Sequence, residues 1–352
     1  MLKLQNHPKW KRIRVVLQDP DRKSYLTILK ELCILWNLKR EFPVHYFGKY
    51  LYRKEVKNYR EYLSMEEYYR ILDSPRLHDA KWIRILQDKQ LFIEKMTEAD
   101  IPTTHTLFYY KDKNFFHKEE KIPAADYSSF VEQLTSLAKT NNAKELFAKP
   151  VSGMGGIGCI KIDFTVPNSE EQFRELYNHL PNTTYIFQKV LKQHAQINEI
   201  YSLSINTLRF DTYIDSHGKA HILSVLMRFG QGGNSMDNIN RGGFYVPVDI
   251  HTGTLGTCGN QTMLHGGRVY YEHPNSQVLL QGRQVPYFEE AKEIIHRAVS
   301  VVPNRIIGWD IAITDDGPVV LEGNHNPSLF MTDIAYRGYL KHPLMKEILE
   351  EA

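Results

Sequence analysis

The sequence has few cysteines and no long apolar runs. Its 352 residues include only three cysteines, Cys33, Cys159 and Cys258, which are far apart and show neither CxxC nor zinc-ligand spacing. This predicts a reducing cytoplasm, with each cysteine serving as a small core hydrophobe. No run of eighteen apolar residues exists, so no transmembrane helix is expected, and the N-terminus lacks the apolar stretch of a secretion signal.

The net charge of +3 hides an uneven distribution. Residues 1–60 contain fifteen Lys or Arg against five Asp or Glu, an excess of +10 that the remaining chain offsets with −7. Aromatic residues alternate with these charges. This pattern fits contact with an acidic polymer, or a peripheral location of the protein on the anionic inner face of a membrane. The alternative is a helical region whose lysines only face solvent. No nucleic-acid-binding module accompanies the charge, so no nucleic acid is expected as a partner.

The order of predicted elements favours an α+β protein with mainly antiparallel strands. Apolar spacing is helical from residue 21 to about 90. Residues that carry this spacing include Leu26, Leu29, Leu32, Cys33 and Trp36. Further helices are predicted at 127–139, 170–179 and 287–299. Strands are predicted at 145–150, 183–190, 202–214, 220–230 and 242–250, before a final hairpin.

The final hairpin spans residues 306–326. Two apolar runs flank the turn signal Asp-Asp-Gly that ends at Gly317. A three-residue loop, with Gly317 in the left-handed conformation, would place Thr314 opposite Pro318.

That register would bring two carboxylates and an amide to one face of the hairpin. Asp310 would lie opposite Glu322, and Asn324 would share the face of Glu322 because side chains alternate along a strand. Unpaired buried carboxylates are costly, whereas hard oxygen donors of this kind suit Mg²⁺ or Mn²⁺. The alternative is a solvated hairpin end with incidental acids.

A glycine-rich segment, LFAKPVSGMGGIGCIKI, occupies residues 146–162. Gly153, Gly155 and Gly158 fit GxGxxG, but a strand-like run follows where a dinucleotide fingerprint needs a helix. Walker A, HRD and DFG signatures are absent from the sequence. We therefore predict a flap between two strands, whose backbone amides cover phosphates, with Lys149 beside it to neutralise them. The alternative is a flexible surface hairpin with an ordinary lysine.

Two arginines lie in otherwise apolar strands. Arg209 and Arg228 would each be costly to bury without a partner. An anionic ligand would resolve that cost, because a guanidinium binds phosphate or carboxylate with two parallel hydrogen bonds. Internal ion pairs with Asp211 or Asp237 are the alternative.

The lysine before a strand-to-strand flap and the Asp…Glu-x-Asn hairpin resemble the ATP-grasp superfamily. More narrowly, QKVLKQH, SINTLRF, RFGQGGNSMDNINRGG and GWDIAITDDGPVVLEGN resemble the sugar-transfer-associated ATP-grasp proteins, relatives of α-L-glutamate ligases. The resemblance covers roughly residues 86–330. It implies an ATP-grasp fold, in which two α+β subdomains grip ATP. The first subdomain would span residues 86–190 and contain the flap, and the second would span residues 191–352 and contain the metal site. A basic helical region would precede them at residues 1–85.

The resemblance also implies roles for single residues. Phosphates would be contacted by Lys89, Lys149, Ser152, Gly153, Gly155 and Gly156. Adenine would meet the hinge at Gln188, Lys189 and Val190, although many members carry glutamate in place of Gln188. His194, or else Glu199, would hold the ribose. Mg²⁺ or Mn²⁺ would be bound by Asp310, Glu322 and Asn324. Catalytic groups facing the γ-phosphate and acceptor would be Arg209, Arg228, Arg241 and Asn238. For Lys89 and His194, a solvated lysine and a structural histidine remain the alternatives.

The implied reaction is an ATP-dependent ligation of a carboxylate to an amine through an acylphosphate. No protein nucleophile is needed, which agrees with the lack of a Ser-His-Asp or Cys-His arrangement. The resemblance points to cell-surface polysaccharide assembly, with small or sugar-linked substrates such as an amino acid and a uronic acid. A phosphotransferase acting on a hydroxyl is one alternative, for which no base is evident. A nucleotide-binding regulator without turnover is another, but the full set of metal ligands argues against it.

Overall fold

A computed structural model describes residues 8–153, 155–166, 169–180 and 183–352. They form two compact units. One contains the described residues up to Ile83 together with Gln193–Pro318 and Gly323–Ala352, and the other contains Arg84–Lys192 and Val319–Glu322. The basic N-terminal region therefore clusters with the C-terminal part of the chain in one unit.

The predicted helical spacing near the N-terminus is confirmed. The helices are α1 (Pro8–Gln18), α2 (Tyr25–Lys39), α3 (Val44–Gly48), α4 (Met65–Asp73) and α5 (Ala80–Gln87), with a 3₁₀ turn at Tyr59–Glu61. Buried polar contacts tie this region to the end of the chain. The ammonium of Lys49 lies 2.5 Å from Asp333, whose carboxylate also accepts from the Leu63 amide. Both side chains are fully buried, so each charge depends on the other for compensation.

The unit of residues 84–192 is built on an antiparallel sheet with the strand order β3-β2-β1-β6-β4-β5. Its strands are β1 (Thr106–Lys111), β2 (Asn114–His117), β3 (Glu120–Pro123), β4 (Glu145–Pro150), β5 (Ile160–Asp163) and β6 (Tyr185–Lys189). Helices α6 (Lys89–Glu98), α7 (Tyr127–Thr140) and α8 (Ser169–His179) complete it. The core includes Phe108, Phe115, Phe130, Leu146 and Phe187. Val319–Glu322 join this unit because the Val320 amide donates to the Pro102 carbonyl.

A second sheet has the order β11-β10-β9-β8-β7-β12-β13, and it belongs to the other unit except for Val319–Glu322 of β13. Its strands are β7 (Thr207–Ile214), β8 (Ala220–Phe229), β9 (Phe244–Pro247), β10 (Gly259–Gln261), β11 (Val269–Tyr270), β12 (Ile306–Thr314) and β13 (Gly317–Asn324). The later helices of this unit are α9 (Ala195–Asn198), α10 (Phe288–Val301), α11 (Leu329–Ala335) and α12 (Met345–Glu351), with 3₁₀ turns at Ile239–Arg241 and Met263–His265. The expected α+β class with antiparallel strands is confirmed.

The turn between β12 and β13 has the backbone conformation expected of it. Gly317 has a positive φ of 117°, while neither Asp315 nor Asp316 does, as in a type I turn followed by a left-handed glycine. The Thr314 hydroxyl donates to the Gly317 carbonyl and accepts from the Asp316 amide. One expectation about local structure is wrong. The cysteines are not core residues: Cys33 is exposed, and Cys159 and Cys258 are partly exposed. Among the described residues, no helix is both long and apolar enough to cross a membrane.

Candidate functional site

Asp310 lies at the centre of a buried charge cluster. It stands opposite Arg209 on the neighbouring strand β7, and the two form a bidentate ion pair with Nε–Oδ1 2.6 Å and Nη2–Oδ2 3.0 Å. A guanidinium nitrogen of Arg228 also lies 3.0 Å from Asp310 Oδ2. Asp310 and Arg209 are 2% and 5% exposed. One carboxylate therefore balances two cations in a nearly dry environment, where removal of any member would be costly.

Arg228 is held by a second acid. Its Nε lies 3.4 Å from Asp237 Oδ2 and donates to the Thr207 hydroxyl at 2.9 Å. Thr207 in turn donates its amide and its hydroxyl to Asp237. Burial raises the pKa of Asp237, while the charge of Arg228 opposes that shift. The alternative of an ion pair with Asp237 thus holds for Arg228.

Arg209 pairs with Asp310 rather than with Asp211. The buried Asp211 carboxylate accepts from the hydroxyls of Ser224 and Thr332, and burial raises its pKa. Gly308 makes room for the arginine, since a Cβ there would lie 3.1 Å from Arg209 Cδ. Sequence reasoning did not anticipate Thr207, although it lies two residues before Arg209 and so points to the same face of β7.

The residues predicted to hold a metal have donors that fit Mg²⁺. Glu322 and Asn324 are half-buried and, two residues apart on β13, share one face of that strand. Asn324 donates its amide nitrogen to the Gly308 carbonyl at 3.4 Å. Carboxylate and amide oxygens are the ligands that Mg²⁺ prefers. Among the described residues, no three His, Cys, Asp or Glu side chains are grouped to hold a metal, but the predicted set has only two carboxylates.

Lys149 is a buried cation in the unit of residues 84–192. It lies on β4, is 8% exposed, and has its pKa lowered to about 8. Desolvation is the main cause, and the charge of Lys89 adds to it, while Glu322 acts in the opposite direction. A buried lysine with a depressed pKa is frequent at sites that bind anions or perform catalysis.

Lys89 anchors the glycine-rich connection between β4 and β5. Its backbone amide donates to the Val151 carbonyl and its ammonium to the Gly153 carbonyl at 2.7 Å. It is therefore more than the solvated helix lysine considered as an alternative. Gly158 has a φ of 75°, and a Cβ there would lie 2.7 Å from the Tyr185 hydroxyl, which donates to the Gly158 carbonyl.

The glycines of this connection share a backbone conformation that suits a flap. The predicted strand-to-strand connection is confirmed, because β4 and β5 are antiparallel partners. Positive φ angles occur at Gly153, Gly155, Gly156 and Gly158. Successive amides in such conformations form concave anion-binding surfaces, and Ser152 lies within the same exposed segment.

The predicted adenine hinge lies at the end of the central strand β6. Lys189 ends that strand, Val190 follows it, and the side chain of Gln188 donates to the Thr104 hydroxyl at 2.9 Å. Gln188 is 2% exposed, so its side-chain amide has a structural role. The groups left to meet the edge of an adenine are then those of the backbone. His194 caps α9, with Nδ1 accepting from the Gln196 amide. Its role at a ribose stays a prediction.

The loop at residues 238–243 exposes one of the predicted catalytic arginines. Asn238 caps the 3₁₀ turn by accepting from the Asn240 amide, and Arg241 extends into solvent from that turn. The backbone is fixed nearby, because the Gly242 carbonyl accepts from the buried Gln261 side chain. A Cβ on Gly243 would lie 2.7 Å from the Asp237 carbonyl. The glycines of the loop thus pack closely against the segment that carries the acid that pairs with Arg228.

The solved structures to which this chain is similar include a synthetase and two ligases. D-alanyl-alanine synthetase A from Vibrio cholerae is 12% identical, with 76% of this chain and 64% of that chain covered and a TM-score of 0.44. VanG D-Ala:D-Ser ligase from Enterococcus faecalis is 12% identical, with coverages of 78% and 62% and a TM-score of 0.47. ATP-grasp ligase PsnB, complexed with minimal precursor, Mg and ADP, is 13% identical, with coverages of 78% and 61% and a TM-score of 0.39. The chain thus spans less than two thirds of the length of these proteins.

The two antiparallel sheets, the glycine-rich β4–β5 connection and the Asp310 hairpin define an ATP-grasp fold. The profile of the family described as sugar-transfer associated ATP-grasp matches residues 73–348, so the chain belongs to that family. The resemblance found in the sequence is therefore confirmed. A comparison with proteins of curated function gives no match.

Proposed function

We propose that this protein is an ATP-dependent ligase that joins a carboxylate to an amine through an acylphosphate. The main support is a set of buried charged residues within the part of the chain that matches the family. These are Asp310, which pairs with Arg209 and Arg228, and the nearly inaccessible Lys149. The two arginines and the acids Asp310 and Asp237 compensate each other in charge, whereas Lys149 is a buried cation with a lowered pKa, as is frequent at sites that bind anions.

In this proposal the unit of residues 84–192 binds the nucleotide. The amides of Gly153, Gly155 and Gly156 cover the phosphates, and Lys89 holds the flap through its bond to Gly153. Lys149 supplies a positive charge to the phosphates, whose negative charge raises its pKa again. Adenine meets the backbone at the end of β6.

The proposed metal ligands are Asp310, Glu322 and Asn324. Bound Mg²⁺, or Mn²⁺, would neutralise the terminal phosphates of ATP and so make the γ-phosphorus more electrophilic.

The proposed reaction has two steps. A substrate carboxylate oxygen attacks the γ-phosphorus, and the bond to the ADP leaving oxygen breaks. Arg228 and Lys149 balance the charge that spreads over the phosphoryl oxygens, with Arg209 and the 238–243 loop orienting the acceptor. An amine nitrogen then attacks the acyl carbon, inorganic phosphate leaves, and the nitrogen loses a proton. A closed flap protects the acylphosphate from water.

The family description supports a role in sugar-conjugate assembly, such as linking an amino acid to a uronic acid in a cell-surface polysaccharide. The test is an ATPase screen of carboxylate and amine pairs, scored for phosphate release. With the correct pair, ADP, phosphate and amide form in equal amounts, and hydroxylamine in place of the amine yields a hydroxamate. A stable phosphorylated product without free phosphate would identify a phosphotransferase. Nucleotide binding without turnover for any pair would identify a regulator.

A further inference from the structure

An apolar face of α2 is directed to solvent. Tyr25, Leu29, Cys33 and Trp36 follow the spacing of a single helical face, and Leu26 borders it. All five are exposed, with Leu26, Leu29 and Trp36 at 82%, 60% and 58%. The opposite face of the same helix carries Ile28, Glu31 and Leu35, which are buried. The helix therefore has two apolar sides, of which folding uses only one.

Neighbouring residues enlarge this surface. Phe42, 61% exposed, contacts Trp36 edge to face with ring centroids 6.1 Å apart, and Leu17 and Val44 are also exposed. Of the sixteen large apolar residues that are exposed in the described part of the chain, ten lie before residue 70. Apolar surface concentrated in this way marks an interaction site, because isolated surface residues would be scattered.

Cations that are not used inside the protein border the face. Lys23, Lys39, Lys49 and Arg53 form ion pairs within the protein. In contrast, the ion pairs of the described residues include neither Lys30 nor Arg40, which are exposed on α2 and directly after it. Lys30 lies beside Leu26 on the helix. The guanidinium of Arg22 stacks on Tyr25 at 4.3 Å and donates to the Val16 and Leu17 carbonyls, so it has a structural role. Aromatic and aliphatic side chains framed by basic ones match the interface of an anionic lipid bilayer.

We propose that the face formed by Tyr25, Leu26, Leu29, Cys33 and Trp36 docks on an anionic phospholipid surface. The aromatic rings lie at the headgroup level and the leucines enter the outer acyl region, while Lys30 and Arg40 meet the lipid phosphates. The face rests on a rigid base, because Tyr46 and Lys23 anchor α2 through Glu31. This inference is independent of the proposed ligase function.

Vesicle co-sedimentation of the full chain tests the proposal, with phosphatidylcholine vesicles that contain or lack phosphatidylglycerol. Wild type is expected to pellet only with the anionic vesicles, and less as salt shortens the screening length below ~10 Å. The double variant Leu29→Ser/Trp36→Ser should not pellet, whereas Leu279→Ser, an equally exposed leucine elsewhere, should behave as wild type. Lys30→Gln should weaken binding roughly fivefold, and the control Lys346→Gln should not.

Cys33 provides an independent readout. In a Cys159→Ser/Cys258→Ser background, an environment-sensitive dye on Cys33 should shift to the blue with anionic vesicles and be quenched by brominated lipid. Failure of wild type to pellet at low salt would overturn the proposal, as would equal pelleting of the double variant. A concentration-dependent dimer that the double variant abolishes, without vesicle binding, would instead assign the face to a second copy of the chain. Circular dichroism of each variant checks that the fold is retained.

Discussion

Arg209 and Asp310 lie directly opposite each other on neighbouring strands and form a buried, bidentate ion pair. A residue predicted as a metal ligand is therefore also a structural partner of two arginines. This changes what a substitution at Asp310 can reveal, since loss of function and loss of stability would occur together.

Asp310→Ala is expected to lower the free energy of unfolding by about 3–5 kcal/mol, because it leaves two buried guanidinium groups without an acid. Urea denaturation followed by circular dichroism measures this. Asp73→Ala, at an exposed helix end, should change stability by less than about 0.5 kcal/mol. Equal stability of the two variants would contradict the central position of Asp310 in this cluster.

Glu322→Gln is the cleaner test of the metal site, since Glu322 is only half-buried. The change keeps the shape and removes one negative ligand, so Mg²⁺-dependent ATP turnover should fall roughly 100-fold or more. Because the Glu322 carboxylate also acts on the buried Lys149, circular dichroism should accompany the assay to show that the variant is folded. Glu120→Gln, an exposed residue on β3, serves as the control. Turnover within a few-fold of wild type would exclude Glu322 as a metal ligand.

Lys149→Met should stabilise the protein at neutral pH while it abolishes turnover. The pKa of Lys149 is lowered from 10.5 to about 8, so between these values the unfolded chain binds a proton that the folded chain does not. Stability then rises with pH across that window, and the full cost of the buried charge applies below about pH 8. The variant should gain up to about 3 kcal/mol at pH 7 and lose that advantage towards pH 10.5.

Urea denaturation at several pH values tests this, with the exposed Lys121→Met as control. The same pKa predicts that ATP binding by wild type weakens as the pH rises through about 8, where Lys149 loses its proton. Lys149→Arg should remove this dependence, because arginine stays charged. Isothermal titration with ATP provides the measurement, and an unchanged affinity from pH 7 to 9 would contradict a role for the charge of Lys149.

Gly158→Ala should lower the free energy of unfolding by more than the strain of a positive φ alone would. The added Cβ would lie 2.7 Å from the Tyr185 hydroxyl, whereas Gly218, with a similar φ of 80°, has open space around it. Gly218→Ala is expected to cost about 1–2 kcal/mol, and Gly158→Ala clearly more. Tyr185→Phe in the Gly158→Ala background should recover part of the difference. Equal costs at the two glycines, measured by urea denaturation, would exclude the contact with Tyr185.

The sequence determined the elements and the chemistry of the candidate site. Helical spacing, strand alternation and the glycine-rich connection were readable because periodicity and turn residues act over a few positions along the chain. The association of β4 with β5 followed from one short connection. For the same reason, Asp310, Glu322 and Asn324 stood out as polar residues in apolar strands.

Only the tertiary structure decided which of these residues are partners. Asp310 pairs with Arg209, 101 positions earlier, because β7 and not a sequence neighbour lies beside β12. The solvent exposure of Leu29 and Trp36 was equally hidden, since helical spacing identifies an apolar face but not what covers it. Strand order and burial depend on packing between distant segments, and a pattern that acts over one or two turns carries no information about them.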